Sequence, residues 1–90
     1  MQNRQRYEIV RDILTVCNGG SRLAGIMFHT YITHAQAKSY LAKSIEAGLI
    51  EHDRLDRKYR TTAKGIDYLS ALESIHEMLP LETRKARVLL

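Results

Sequence analysis

One cysteine and one proline stand among the 90 residues, and no long apolar run is present. Cys17 has no partner for an internal disulfide, and no spacing suggests a metal site. It falls among Ile13, Leu14 and Val16, so it reads as a small core residue rather than a reactive thiol. No apolar stretch approaches the ~18 residues of a membrane span. The polar start MQNRQRYE is not a signal peptide, and a reducing, cytoplasmic compartment is the expectation. Also missing are a glycine-rich phosphate loop after a strand, a nucleophile elbow and a pair of histidines at ligand spacing. His29, His34, His52 and His76 fall on different predicted elements. The expected class is therefore not an enzyme, with no metal, no cofactor and no membrane partner. Internal repeats, low-complexity tracts and linkers are absent too.

What is there suits a folded domain. The hydrophobic share of 44% and charged share of 27% exclude a disordered chain. Ninety residues fit one compact domain that buries a modest share of its surface, so a partner subunit would help it. The net charge of +4 fits a polyanionic partner such as nucleic acid and equally a solvated basic surface.

Between Gln5 and Cys17, residues Ile9, Val10, Ile13, Leu14 and Val16 recur at helical spacing, with Arg6, Glu8, Arg11 and Asp12 largely opposite. The run CNGGS stops that helix, because Asn18, Gly19 and Gly20 offer left-handed geometry. A short second helix over 22–30 turns Leu23, Ile26 and Met27 inward, with Gly25 as a close-packing position. Thr33 opens a third helix that runs to Ala47, and Thr33 with Gln36 fits a capping box. Its apolar stripe is Ala37, Tyr40, Leu41 and Ile45, interrupted by Ser44. After Gly48 the pattern becomes strand-like: Leu49 and Ile50, a charged turn over Asp53–Lys58, then YRT. Thr61 and Thr62 are both able to cap a final helix. In it Ile66 and Leu69 can pack on the domain. Tyr68, Leu72, Ile75 and Leu79 follow at spacings of four, three and four, as in a coiled-coil seam or a core-facing stripe. Pro80 ends that helix and the basic tail LETRKARVLL follows.

Three helices, a hairpin and a helix is the order of a winged helix-turn-helix. The fragment YLAKSIEAGLIEHDRLDRKYRTTAKGIDYL sharpens the match through Tyr40-Leu41, Gly48-Leu49-Ile50, Tyr59, Thr61-Thr62 and Lys64-Gly65. With IVRDIL and IMF upstream, the sequence resembles the archaeal family of small winged-helix DNA-binding proteins that dimerise through a C-terminal antiparallel coiled coil. Two departures stand out. Ser44 replaces a usually apolar residue, and the last helix is short for the longer-tailed members.

The resemblance implies a mainly α fold with a small β-hairpin. Residues 1–61 would form the winged helix-turn-helix DNA-binding domain, 62–79 a C-terminal dimerisation helix of the same compact unit, and 80–90 a tail. In such a fold the third helix enters the major groove of double-stranded DNA, where its N-terminal side chains meet base edges. His34, Gln36, Lys38 and Ser39 are the candidate base contacts, and Lys43 suits phosphate. The wing offers Arg54, Arg57 and Lys58, with Arg60 on the return strand, while exposed ion pairs to Asp53 and Asp56 are the rival reading. Arg22, with Arg4 and Arg6, could add backbone contacts. From Thr61 to Leu79 one base, Lys64, faces Asp67, Glu73 and Glu77. That helix is a poor DNA surface and a better homodimer seam through Tyr68, Leu72, Ile75 and Leu79. The five tyrosines are scattered over separate elements, which fits core and interface packing better than a platform for single strands. A nucleoid-associated transcription regulator is the leading expectation. An architectural DNA-binding protein and a winged-helix protein-interaction module are the alternatives.

Overall fold

A computed structural model describes residues 4–78 as four helices and one antiparallel hairpin. The order is α1 (Arg6–Val16), α2 (Leu23–Thr30), α3 (His34–Glu46), β1 (Ile50–Asp53), β2 (Lys58–Thr61) and α4 (Ala63–Met78). The expected tail and Leu79 lie outside the described residues. Among those residues, no helix is long and apolar enough to cross a membrane.

Local chemistry sets the helix ends. Glu8 Oε1 accepts from the Gln5 amide at 2.7 Å and fixes the start of α1. Beyond Cys17 the chain turns through Gly19 and Gly20, at φ 95° and 103°, a region that costs a side-chain-bearing residue about 1–2 kcal/mol. Asn18, expected to share that geometry, does not. The capping box of α3 is present in both directions: Thr33 Oγ1 accepts from the Gln36 amide at 3.1 Å, and Gln36 Oε1 accepts from the Thr33 amide at 2.9 Å.

The core gathers Ile9, Ile13, Leu14 and Cys17 of α1 and its cap with Ile26, Ile32, Ala37, Leu41, Leu49, Ile50 and Tyr59. Each fully buried aliphatic side chain contributes about 1.5–3 kcal/mol. Ser44, expected to interrupt the α3 stripe, continues it at 4% exposure, whereas Ile45 lies on the flank and is partly exposed. Ala37, Leu41 and Ser44 hold the inward spacing of four and three, and Ile45 falls one position beyond it.

The segment YRTTAKG joins the elements. β1 and β2 pair His52 with Tyr59 and Ile50 with Thr61. Ser21 adds a one-residue bridge on the other side of Tyr59, with reciprocal bonds of 2.9 and 2.8 Å. Thr62 caps α4 by accepting from the Gly65 amide at 3.1 Å, and its hydroxyl donates to the Gly48 carbonyl at 2.6 Å. Thr61 does not share the capping, because its hydroxyl donates to the Leu14 carbonyl at 2.6 Å and ties the hairpin to α1. Lys64 Nζ meets the Ala47 carbonyl at 2.8 Å, placing a cation at the negative end of α3. Gly65 is buried so closely that a Cβ would stand 2.4 Å from the Leu49 carbonyl oxygen.

α4 packs back along α1. Tyr68 and Leu69 rest against the core, and His76 lies beside Tyr7 with ring centroids 5.3 Å apart. Ile66, expected to pack inward, is 37% exposed on one flank of α4, and Ile75 and Met78 are exposed on the other.

Candidate nucleic-acid interface

The outward face of α3 follows from its buried one. With Ala37, Leu41 and Ser44 inside, Ala35, Ser39, Ala42 and Glu46 form the middle of the exposed strip, four, three and four residues apart. Lys38 and Lys43 lie on opposite edges of the strip, and His34 stands in the first turn; all three are exposed. The small side chains of Ala35, Ser39 and Ala42 let the first three turns of the helix come close to a flat surface. The flanking ammonium groups suit anions on either side, and Glu46 puts a carboxylate at the C-terminal end of the strip. Gln36, Ser39 and Lys43 also share a shallow hollow with Arg6 of α1 and Tyr40.

Gln36 is only partly available. Pairing with adenine uses the amide oxygen as acceptor and the nitrogen as donor. The capping box occupies Oε1, so Nε2 alone can reach outward while the cap is intact.

The wing's charge is set by Arg60. Its guanidinium contacts Asp56 at 2.7 Å and Asp53 at 3.4 Å, and so engages both wing carboxylates. The hydrogen bond from Arg60 holds the Asp56 carboxyl below its usual value, and the same bond raises Arg60. Arg54, Arg57 and Lys58 make no ion pair among the described residues, so the wing presents cations rather than balanced pairs. The turn is shaped by its aspartates: Asp53 accepts from the Leu55 amide at 2.9 Å and Asp56 from the Lys58 amide at 3.0 Å. Arg57 completes it at φ 60°, a left-handed position unusual for a side chain of this size.

Arg22 belongs to the same region, since its Nε donates to the Asp56 carbonyl at 3.1 Å and links the start of α2 to the wing. Between them lies a cleft of about 510 Å³ lined by Arg22, Leu23, Ala24, His52, Arg54, Arg57 and Tyr59. Arg4 is committed elsewhere, to Asp12 at 2.8 Å and to the Thr30 carbonyl. Cys17 is buried and its thiol is pushed up to about 12 by that burial, as suits a packing residue. Among the described residues no cluster of three or more histidine, cysteine, aspartate or glutamate side chains could hold a metal.

On α4, Tyr68 packs against the domain's own core, Leu72 is half-buried and Ile75 is 55% exposed. Leu79 lies outside the described residues. Three features escaped the sequence reading. Ala35 and Ala42 offer no polar signal, yet they define the middle of the α3 strip. Leu55 stands 97% exposed at the wing tip, and a polar hairpin pattern gave no reason to single it out. Tyr31, grouped with the packing tyrosines, is instead 85% exposed at φ 57° in the turn before α3.

Comparison with known proteins agrees with this geometry. No curated protein matches the chain. Among solved structures it is similar to Sso10a-2, a DNA-binding protein from Sulfolobus solfataricus, at 28% identity over 97% of each chain and a TM-score of 0.67. A family model described as winged helix-turn-helix matches residues 3–80. With three helices leading into a braced wing and a fourth helix packed behind it, the chain belongs to the winged helix-turn-helix family.

Proposed function

We propose that this protein binds double-stranded DNA as a dimer and regulates transcription, with α3 in the major groove and the wing on the backbone or minor groove. The observation that carries the reading is the exposed face of α3, which is small along its centre from Ala35 to Ala42 and lysine-edged on both sides, with the acidic Glu46 only at its C-terminal end. A major groove about 12 Å wide admits a helix presented in that way. Ser39 and the free amide nitrogen of Gln36 are the base readers, joined by His34 from the first turn. Lys38 serves base or phosphate, while Lys43, Arg54, Arg57, Lys58 and Arg22 serve the backbone. The DNA-binding role of Sso10a-2 supports the same reading.

The dimer seam is assigned to the outer side of α4. Ile75 and Met78 are exposed there, half-buried Leu72 stands at the edge facing the domain, and Leu79 continues the spacing in the sequence. Tyr68 contributes at the base of the seam, where it steadies α4 on its own domain. A two-fold axis through α4 would present two α3 helices to half-sites about 34 Å apart.

One observation favours an architectural role instead. Ala35 and Ala42 carry no hydrogen-bonding group, and Gln36 has given up its acceptor, so few groups at the centre of the strip can discriminate bases.

Duplex binding across a salt series, with random DNA beside promoter fragments from the source organism, separates the readings. Promoter binding that persists where random DNA is released supports a regulator. Equal binding that weakens steeply with salt supports the architectural role. No duplex binding at low salt overturns both. Sedimentation over a concentration range tests the dimer.

A further inference from the structure

We infer that the cleft between the wing and α2 is a binding site for a small aromatic anion: a flat ring bearing a carboxylate or phosphate. The lining separates into two chemistries. Leu23, Ala24 and the stacked rings of His52 and Tyr59, with centroids 4.1 Å apart and planes within 9° of parallel, make an apolar wall with one aromatic face. Arg22, Arg54 and Arg57 supply three guanidinium groups, and no carboxylate is among the lining residues. The nearest wing carboxylates, Asp53 and Asp56, are already held by Arg60. An anion entering the cleft therefore meets positive charge that nothing in the lining neutralises.

Size argues for more than an inorganic ion. The cleft, about 510 Å³, falls within the roughly 300–1,000 Å³ of small-molecule sites. A phosphate alone would leave the Leu23, Ala24 and His52 surfaces wet. A ring would cover them while its anionic group pairs with a guanidinium fork, which matches carboxylate and phosphate in two parallel hydrogen bonds. Arg22 is well placed for this, because only its Nε is committed, to Asp56, and both terminal nitrogens remain.

The site has a regulatory consequence that rests on the proposed DNA reading. Arg54 and Arg57 are both cleft lining and wing cations. A ligand that engages them removes charge from the wing, so ligand and DNA should weaken each other's binding reciprocally.

The test is an NMR titration of the full chain with 1-naphthoate, beside neutral 1-naphthalenemethanol and inorganic phosphate. Naphthoate should shift Leu23, Ala24, His52 and Tyr59 resonances together, with a Kd of about 1 mM for a ligand of this size. Arg57→Gln, a turn substitution away from the core, should weaken it at least threefold, and Arg54→Gln/Arg57→Gln at least tenfold. Equal shifts from the neutral alcohol would overturn the role of the arginines, and equal affinity for phosphate would overturn the aromatic part. No shift at these residues would overturn the site. A second arm adds naphthoate to a duplex-binding assay at fixed ionic strength, where DNA affinity should fall. If naphthoate binds but DNA never does, the DNA reading fails and the cleft stands. If both bind without competition, the shared-arginine coupling fails.

Discussion

Arg60 places its guanidinium 2.7 Å from the Asp56 carboxylate, and this contact decides which charge the wing shows to a partner. Without it, Asp53 and Asp56 would stand beside Arg54 and Arg57 as free anions. In Arg60→Gln the Asp56 carboxyl should move up towards the ordinary value for aspartate. Because its folded value is lowered, the pairing stabilises the fold above the unfolded pKa, near ~3.9, and that contribution is lost as pH falls through the folded value. Carboxyl-detected NMR titration of both proteins checks the shift. Duplex binding at fixed salt should weaken in the variant, because Asp53 and Asp56 lose the cation that engages them.

Arg57 combines an unfavourable backbone with a useful side chain. At φ 60° glycine would avoid the cost that an L-residue carries there, about 1 kcal/mol. Arg57→Gly should therefore leave thermal stability unchanged or raise it. The same change should weaken duplex binding and reduce the slope of log affinity against log salt by about one. Opposite signs in the melting curve and the salt series are the expected signature. A loss in both would mean that the arginine supports the wing rather than its partner.

The fold was legible because its signals are local and mutually consistent. Caps at Thr33 and Thr62, the turn glycines and the change from helical to strand spacing at Gly48 each needed only a few neighbouring residues. The site was less legible because its geometry depends on which partner a side chain chooses. Thr61 reads as well as Thr62 for a cap, yet it donates to Leu14, which is distant in sequence. Arg60 looks as available as Arg57 until Asp53 and Asp56 fold around it. Tyr68 fits a seam by spacing, and it also packs on its own domain, since α4 turns back along α1. Spacing assigns a residue to a face and leaves open what that face meets.

Gly65 sets two opposed effects against each other. Alanine has the better helix propensity, by about 1 kcal/mol. Its Cβ, however, would stand 2.4 Å from the Leu49 carbonyl oxygen and 2.5 Å from Thr61 Cγ2, where backbone cannot easily move aside. Steric cost should win, with Gly65→Ala less stable by about 1–3 kcal/mol in urea unfolding. Ala63→Gly, on the exposed side of the same turn, should lose only the propensity difference.

Cys17 should be inert in the native protein. Its side chain is fully buried, and burial lifts the thiol to about 12, leaving little thiolate at neutral or mildly basic pH. Reaction with a chromogenic disulfide at pH 8 should be at least about 100-fold slower than in urea, and its rate should follow opening of the fold. Fast labelling of the native chain would place the thiol at an accessible surface.

Gln36 can be divided into its two roles by one substitution. Its Oε1 closes the capping box on Thr33, and its Nε2 is the part proposed to meet DNA. A glutamate keeps an acceptor for the Thr33 amide and suits the positive end of the helix, so Gln36→Glu should leave stability within about 0.5 kcal/mol of the parent. It also replaces the outward donor with negative charge, so duplex binding should weaken by at least tenfold, about 1.4 kcal/mol. Gln36→Ala should do the reverse, losing about 1 kcal/mol of stability with the cap while weakening DNA binding less than glutamate does. Melting curves and duplex titrations on the two variants measure both effects. If glutamate binds DNA as well as the parent does, Gln36 is a capping residue alone, and base reading passes to Ser39, Lys38 and His34.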